Sequence, residues 1–382
     1  MIYITTQRAQ AYHQMTLDDL FNEFYRPIAP SRDHGITYTR KVEGVPPSCG
    51  EVPVDWYIDR LRAFNEDERI VNLRSVPRES LYDTFRIPKK SGGLRRIDAP
   101  NDELKAALTI LKTLLETDFR ALHHTCAFAY VKKRSTYMAL QRHQRNESKW
   151  FAKLDLSNFF GSTTLDFVMN QMAMIFPFSE VVKRPEGKAE LEKALELGFL
   201  NGGLPQGTPL SPTLTNIMMI PVDFEISKAL RDRLRSDTIV YTRYADDFLF
   251  SGKKWFSVNV IQSIVMDILH QFKAPFALNK EKTRFGNNFG SGANWNLGLM
   301  LNKDNDISVG HRNKKRFEAM VFSFAEDTKL RRAWDPADVQ HVLGLYSYYH
   351  MIESQRIDDI VSGVEKKTGV QDVIGRMRQA VA

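Results

Sequence analysis

The chain has 382 residues, 43% of them hydrophobic and 11% aromatic, enough to bury a substantial core in two or three domains or subdomains. Lysine and arginine outnumber acids by 53 to 46, a net charge of +7 that favours a polyanionic partner without identifying one. Two cysteines, Cys49 and Cys126, exclude a disulfide framework and suit a reducing compartment; with no signal-peptide pattern and no apolar run of membrane-spanning length, a cytoplasmic protein without a membrane partner is expected.

Residues 14–26 carry Met15, Leu17, Leu20, Phe21 and Phe24 at helical spacing behind Thr16 as a cap. From Pro27 to Pro53 prolines and glycines predict an irregular connector. Trp56 to Phe64 reads as helix, and Ser80 to Pro100 as strand, basic glycine turn, strand, a hairpin with a cationic tip. Glu103 to Leu122 places Leu104, Leu108, Leu111, Leu114 and Leu115 on one helical face. His123 and His124 read as packing or hydrogen-bonding residues. Trp150 to Leu156 is a largely buried strand with Asp155 near its end, and a carboxylate emerging there needs a partner, whether a helix terminus or a cation. A helix opens at Thr163 or Thr164, and another covers Lys188 to Leu200. In Gly202 to Pro212 the glycines and prolines exclude regular structure, Ser211 is a cap candidate, and Pro212 begins a helix running through Ile217 and Phe224.

Tyr241 to Ser251 then sets Asp246 and Asp247 side by side in an apolar, β-branched run. Two such carboxylates repel each other and lose hydration, so they are tolerated when protonated, exposed at a turn, or neutralised by a cation. Read alone, a turn at a sheet edge explains them. Val258 to Phe272 is helical, the glycines of residues 286–294 lack a P-loop ending and read as turn chemistry, Trp295 to Leu301 is a short strand, and the chain from Val309 onward is basic and then helical. Three carboxylates from two strand ends, a cationic hairpin and a glycine-proline loop suit nucleotidyl transfer. There two Mg²⁺ ions about 4 Å apart activate a 3′-hydroxyl and clamp a triphosphate, using hard oxygen ligands.

Six stretches carry a family resemblance in order: Lys89-Lys-Ser-Gly-Gly-Leu-Arg95 with Ile97 and Pro100, Asp155-Leu-Ser-Asn-Phe-Phe160, Leu204 to Pro212, Tyr244-Ala-Asp-Asp247, Leu278 to Thr283, and Leu297-Gly-Leu299. Across roughly residues 80–350 the chain resembles a reverse transcriptase. The resemblance implies an α+β right-hand polymerase: an N-terminal extension over 1–75, helical and irregular, fingers over 76–150, a palm of antiparallel sheet and helices over 151–304 that includes some fingers elements, and a helical thumb over 305–382. It further implies that Asp155 and Asp246 hold both Mg²⁺ ions, or Mn²⁺ in their stead, with help from Asp247 and the Leu156 carbonyl. Lys89 and Arg95 would grip the triphosphate, with Lys90 and Arg96 equally explained as solvated charges. Phe160 would stand as a gate against the sugar 2′-hydroxyl, Gln206 and Gly207 would lie under the nascent base pair, and Lys282 would protonate the pyrophosphate. Leu297, Gly298 and Leu299 would grip the primer. Arg312, Lys314, Lys315 and Arg316 would track the duplex backbone, although a solvated helix face explains them too.

The chain is expected to leave no room after the thumb for an RNase H, integrase or intron-type endonuclease domain, which suits a compact bacterial enzyme. Met138-Ala-Leu-Gln-Arg-His143 and Asn296-Leu-Gly298 depart from the Asn-Ala-x-x-His and Val-Thr-Gly signatures of retron enzymes, while Ser211-Pro212 is intact, unlike in diversity-generating enzymes. The expectation is a bacterial reverse transcriptase of the defence-associated, unknown-group type on a retron-like and group II intron-like polymerase core. It would make cDNA from a partner noncoding RNA during anti-phage defence, with dNTPs as substrates and an RNA/DNA hybrid as product. Retron-type msDNA synthesis, untemplated or protein-primed synthesis and a non-catalytic RNA-binding scaffold stay open, as do an oligomer and an effector protein.

Overall fold

Among the described residues the chain folds as α+β, three antiparallel sheets set among helices. The computed structural model describes residues 52–88, 92–120, 123–234, 239–289 and 298–381. The expected helix at 14–26, the connector up to residue 51, Lys89, Lys90, Trp295 and Leu297 lie outside them.

Helix α1 (Val54–Glu66) buries Tyr57, Ile58, Leu61 and Phe64 along one face, covering the predicted Trp56–Phe64. A second helix, α2 (Glu68–Ser75), follows, opened by the Asp67 side chain. Strands β1 (Tyr82–Pro88) and β2 (Leu94–Pro100) pair antiparallel from Tyr82↔Pro100 to Pro88↔Leu94, the predicted hairpin. In α3 (Asp102–Thr117) the five predicted leucines are all buried; the helix ends five residues before Leu122 is reached, closed at Asp118. After α4 (Thr136–Arg145) comes β3 (Trp150–Asp155), then the short α5 (Phe159–Ser162), and α6 (Leu165–Met172), whose first turn is capped by Thr164. Helices α7 (Phe178–Val182) and α8 (Pro185–Glu196) complete this half. Asn65 at the end of α1 ties it to α8, donating to the Glu190 carbonyl at 2.9 Å and its carboxylate at 2.6 Å.

The predicted helix after Pro212 is two: α9 (Ser211–Met218) and α10 (Ile220–Arg233). Pro221 has no N–H for the carbonyl four residues back, so the helix breaks ahead of it. Ser211 is the first residue of α9 and not its cap. Its own amide is taken by Thr208 Oγ1 at 3.2 Å, and its hydroxyl donates to the Pro205 carbonyl at 2.9 Å, so Thr208 does the capping.

Strands β4 (Val240–Tyr244) and β5 (Asp247–Gly252) form a hairpin closed by Ala245 and Asp246. With β3 and β6 (Arg284–Asn287) they make one antiparallel sheet in the order β4-β5-β3-β6. One face buries Ala152, Leu154, Phe248 and Phe250 against the main core, which includes α11 (Val258–Gln271) through Ile261, Ile264 and Val265. The other face gives Phe151 and Leu249 to a second core shared with the C-terminal helices. Alternation along the strands makes this two-sided burial. Strands β7 (Met300–Leu301) and β8 (Ile307–Ser308) lead to α12 (His311–Lys329), α13 (Pro336–Thr368) and α14 (Val373–Ala380). Helix α13 is kinked at Glu353, whose φ −137° and ψ 61° are not helical. Among the described residues no helix is long and apolar enough to cross a membrane.

Candidate active site

The sheet register brings the three predicted carboxylates together. Asp155 ends β3 directly opposite Asp247, which begins β5, and Leu156 N–H donates to the Asp246 carbonyl at 3.1 Å. Asp246 sits in the two-residue turn after Ala245, which takes φ 57°, a left-handed conformation that an alanine enters only under constraint. The constraint is visible: Arg243 donates to the Ala245 carbonyl at 3.2 Å.

Two lysines serve the cluster. Lys282 Nζ donates to Asp155 Oδ1 at 2.9 Å, and Lys153 Nζ to Asp247 Oδ2 at 2.8 Å. The Lys282 side chain is 56% exposed while Asp155 is 6% exposed, so the lysine reaches in from solvent. It does so because the segment after α11 lies along β3: Asn279 N–H donates to the Asp155 carbonyl at 2.8 Å and Ser157 N–H to the Ala277 carbonyl at 2.8 Å. Burial, then the neighbouring Asp247, pushes the Asp246 carboxyl up to about 6. Burial likewise raises Asp247, against the pull of Lys153. The hydrogen bond to Asp155 raises Lys282, keeping it protonated. Lys153 was not singled out in the sequence; its signal was the spacing Lys153-Leu-Asp155, which puts both side chains on one face of a strand. Three carboxylates facing two lysines leave negative charge uncompensated, and the donor set is all hard oxygen, so these residues fit a divalent cation.

Around the cluster, Phe160 is half-buried at the start of α5, with Phe159 edge-to-face behind it at 5.7 Å. Its carbonyl accepts from Leu204 N–H at 3.0 Å, an approach open only because residue 203 is glycine: a Cβ there would run into the Gly161 carbonyl. Gln206 fastens this loop to the β1–β2 hairpin by accepting from Asp98 N–H at 2.8 Å. Gly207 takes φ +123°, and a Cβ on it would meet the Asp98 carbonyl and Ile97 Cγ2 at 3.0 Å. Arg95 lies two residues from Ile97 and therefore on the same face of β2; it is exposed and in no ion pair among the described residues. Arg96, on the opposite face, is held by Asp98 at 2.8 Å.

Beneath the turn lies a polar network absent from the sequence reading. Arg243 and Asp223 are wholly buried and paired at 2.8 Å, with Tyr241 donating to Asp223 at 2.8 Å. Burial opposes the Arg243 charge, but Asp223 more than offsets it and the guanidinium is held protonated. Asn216 donates to the Ala129 carbonyl at 2.9 Å. His143 bridges the sheet from α4, its ring nitrogens 2.5 Å from Ser251 Oγ and 2.8 Å from Thr242 Oγ1; burial lowers it to about 3, so it is neutral. His124, Cys126 and Asp223 bring ligand atoms within 4.8 Å of one another. Arg243 and Tyr241 already occupy the Asp223 oxygens and burial raises the Cys126 thiol well above its usual range, so this group is core packing of the kind expected for His124.

The remaining residues lie further along the chain. Gly298 takes φ 96° and Leu299 is fully buried in the second core. Arg312 and Arg316 are exposed on α12, and Lys315 pairs with Glu318 at 3.1 Å. Lys314 differs from them: only 17% exposed, it bonds Glu353 at 2.8 Å. Lying three residues from the buried Phe317, it faces α13 along the same side of α12.

Residues 87–320, well over half of the chain, match the family model described as reverse transcriptase (RNA-dependent DNA polymerase). The retron Ec83 reverse transcriptase of Escherichia coli is 28% identical over 312 residues, covering 78% of this chain and 90% of that one. The retron Mx65 enzyme of Myxococcus xanthus is 27% identical over 74% of this chain and 64% of its own length. Among solved structures, telomerase from Candida albicans aligns at a TM-score of 0.42 and 12% identity, over 78% of this chain and 62% of that one. The chain belongs to the reverse transcriptase family, an RNA-directed DNA polymerase whose antiparallel sheet carries the carboxylates at one end.

Proposed function

We propose that this polymerase copies a partner noncoding RNA into cDNA from dNTPs, with Asp155, Asp246 and Asp247 as its catalytic carboxylates. The observation that carries the reading is the register Asp155↔Asp247 with Asp246 in the adjoining turn, which gathers three carboxylates at one end of the sheet. Two Mg²⁺ ions, or Mn²⁺, would be held by Asp155, Asp246 and Asp247 with the Leu156 carbonyl; when bound they lower the pKa of a 3′-hydroxyl and neutralise triphosphate charge. The side chains do the rest. Lys282 carries a proton at Nζ to the pyrophosphate side, Lys89 and Arg95 bind triphosphate oxygens, Arg95 bidentately through its guanidinium fork, and Phe160 excludes a 2′-hydroxyl. Gly207 lets the backbone lie against the base pair, residues 297–299 grip the primer, and Arg312, Lys315 and Arg316 follow the duplex phosphates. In this reading 1–75 is an extension, 76–150 the fingers, 151–304 the palm and 305–382 the thumb.

Purified protein given a primed RNA, dNTPs and Mg²⁺ is expected to make DNA, and Asp246→Asn to lose about a thousandfold or more of that activity. Equal yields from both proteins would remove the carboxylate assignment. The kinship with enzymes named for retrons supports retron-type msDNA synthesis as a second form of the same reading, alongside cDNA synthesis in anti-phage defence. Sequencing the RNA and DNA that copurify with the protein, with and without phage challenge, separates them: a product made without challenge favours the retron type, and a challenge-dependent cDNA favours the defence type.

A further inference from the structure

Tyr130 ligates nothing in the carboxylate cluster, yet its conformation is costly. Its φ of 59° lies in the left-handed region, which a bulky side chain adopts only when its surroundings impose it. The residue is 55% exposed, so burial of the ring does not repay the strain. The loop that carries it is nonetheless fixed. Phe128 N–H donates to the Arg243 carbonyl at 2.9 Å, Arg134 donates to the Ala127 and Thr125 carbonyls at 2.6 and 2.9 Å, and Asn216 holds the Ala129 carbonyl at 2.9 Å. A rigid backbone that presents a strained, exposed aromatic ring has its explanation in what the ring touches.

It touches Phe160. The two centroids are 6.4 Å apart with planes at 76°, an edge-to-face contact. Phe159 meets the same ring edge-to-face at 5.7 Å, and Phe159 is buried in the main core. Phe160 is therefore held on one side by a core residue and on another by Tyr130. Partial burial, then the charge of Asp246, raises the Tyr130 hydroxyl above its ordinary range.

We propose that Tyr130 is a positioning residue for sugar selection, bracing the Phe160 ring from the solvent side and so setting how strictly the pocket rejects a 2′-hydroxyl. This rests on the reading of Phe160 as the sugar gate. Without the brace a half-buried phenyl ring has room to change rotamer, and the gate widens. The contact with Phe160 needs only the ring, so the hydroxyl is dispensable.

The test is single-nucleotide addition by the full-length protein on a primed RNA, comparing kcat/KM for a dNTP and the matched rNTP. Tyr130→Gly removes the ring and suits the left-handed backbone; Tyr130→Leu replaces it should the glycine variant fold poorly. Loss of one edge-to-face contact is expected to loosen discrimination about two- to tenfold, and Tyr130→Phe is expected to restore it. In a Phe160→Ala background the same change should have no further effect. Unchanged discrimination in Tyr130→Gly beside loosened discrimination in Phe160→Ala overturns the proposal and leaves the gate standing. No change in Phe160→Ala overturns the gate itself. Additive loosening in the double variant also overturns the proposal, since the tyrosine would then act on the nucleotide and not through Phe160.

Discussion

Asp155 and Asp247 each have a lysine, whereas Asp246 has no ion pair among the described residues and is the carboxyl pushed up to about 6. Lys282 and Lys153 are not equivalent either: the first is largely exposed, the second only 19% exposed. If the exposed one is the proton carrier proposed above, Lys282→Met should lower kcat about a hundredfold with little change in the dNTP KM, read in single-turnover assays. His143 gives a stability prediction. Its folded pKa, about 3, lies below the ordinary value of 6.5, and burial lowers His123 to about 3 as well. The unfolded chain therefore binds more protons between those values. The stability these neutral rings contribute is complete above about pH 6.5 and falls with decreasing pH towards 3, by about 1.4 kcal/mol per pH unit for each ring. Thermal unfolding of His143→Asn across that range should show a slope smaller by about one proton.

Between elements, the glycine-proline loop is the joint connecting the β1–β2 hairpin to α5. Gly207→Ala would set a side chain at φ +123° against the Asp98 carbonyl, strain of about 1–3 kcal/mol that falls on the loop and not on either core. The expected outcome is an unchanged sheet by circular dichroism and a dNTP KM raised about tenfold. Much of this layer was legible: the hairpin, α3, the Asp155 strand, the helix opening at Thr163 or Thr164 and the Asp246–Asp247 turn each announce themselves within one continuous local stretch. The Asp223–Arg243–Asn216 network does not. Its members lie on α9, α10 and β4, and nothing local in Asp223 distinguishes a buried acid from a solvated one. Tyr130 is hidden for the same reason, since its φ is fixed by partners up to 113 residues away through the Arg243 carbonyl that holds Phe128.

Across the whole molecule, the two cores meet through the sheet, and the C-terminal helices share Phe151 and Leu249 with it. Lys314 and Glu353 belong to this junction: the Glu353 carboxylate also accepts from Val309 N–H at 2.8 Å and Ser308 Oγ at 3.0 Å, holding the kink of α13 against the start of α12. A basic run read from sequence thus divides into one lysine that locks helices and others that face outward, a distinction only packing makes. Arg312→Ala and Arg316→Ala should weaken binding to a primed RNA uniformly across sequences. Each should reduce the slope of log Kd against log salt by about one, by filter binding, while Lys314→Ala should leave the slope nearly unchanged and lower the unfolding temperature. The lysine contacts at the carboxylates carry a last consequence. Lys153 and Lys282 already neutralise two of the three carboxylates, so a cation that loads the site is expected to displace a lysine as well as to meet the unpaired charge of Asp246. On the proposed role of Lys282, the arrival of cation and substrate is then expected to be what frees it from Asp155 to carry a proton.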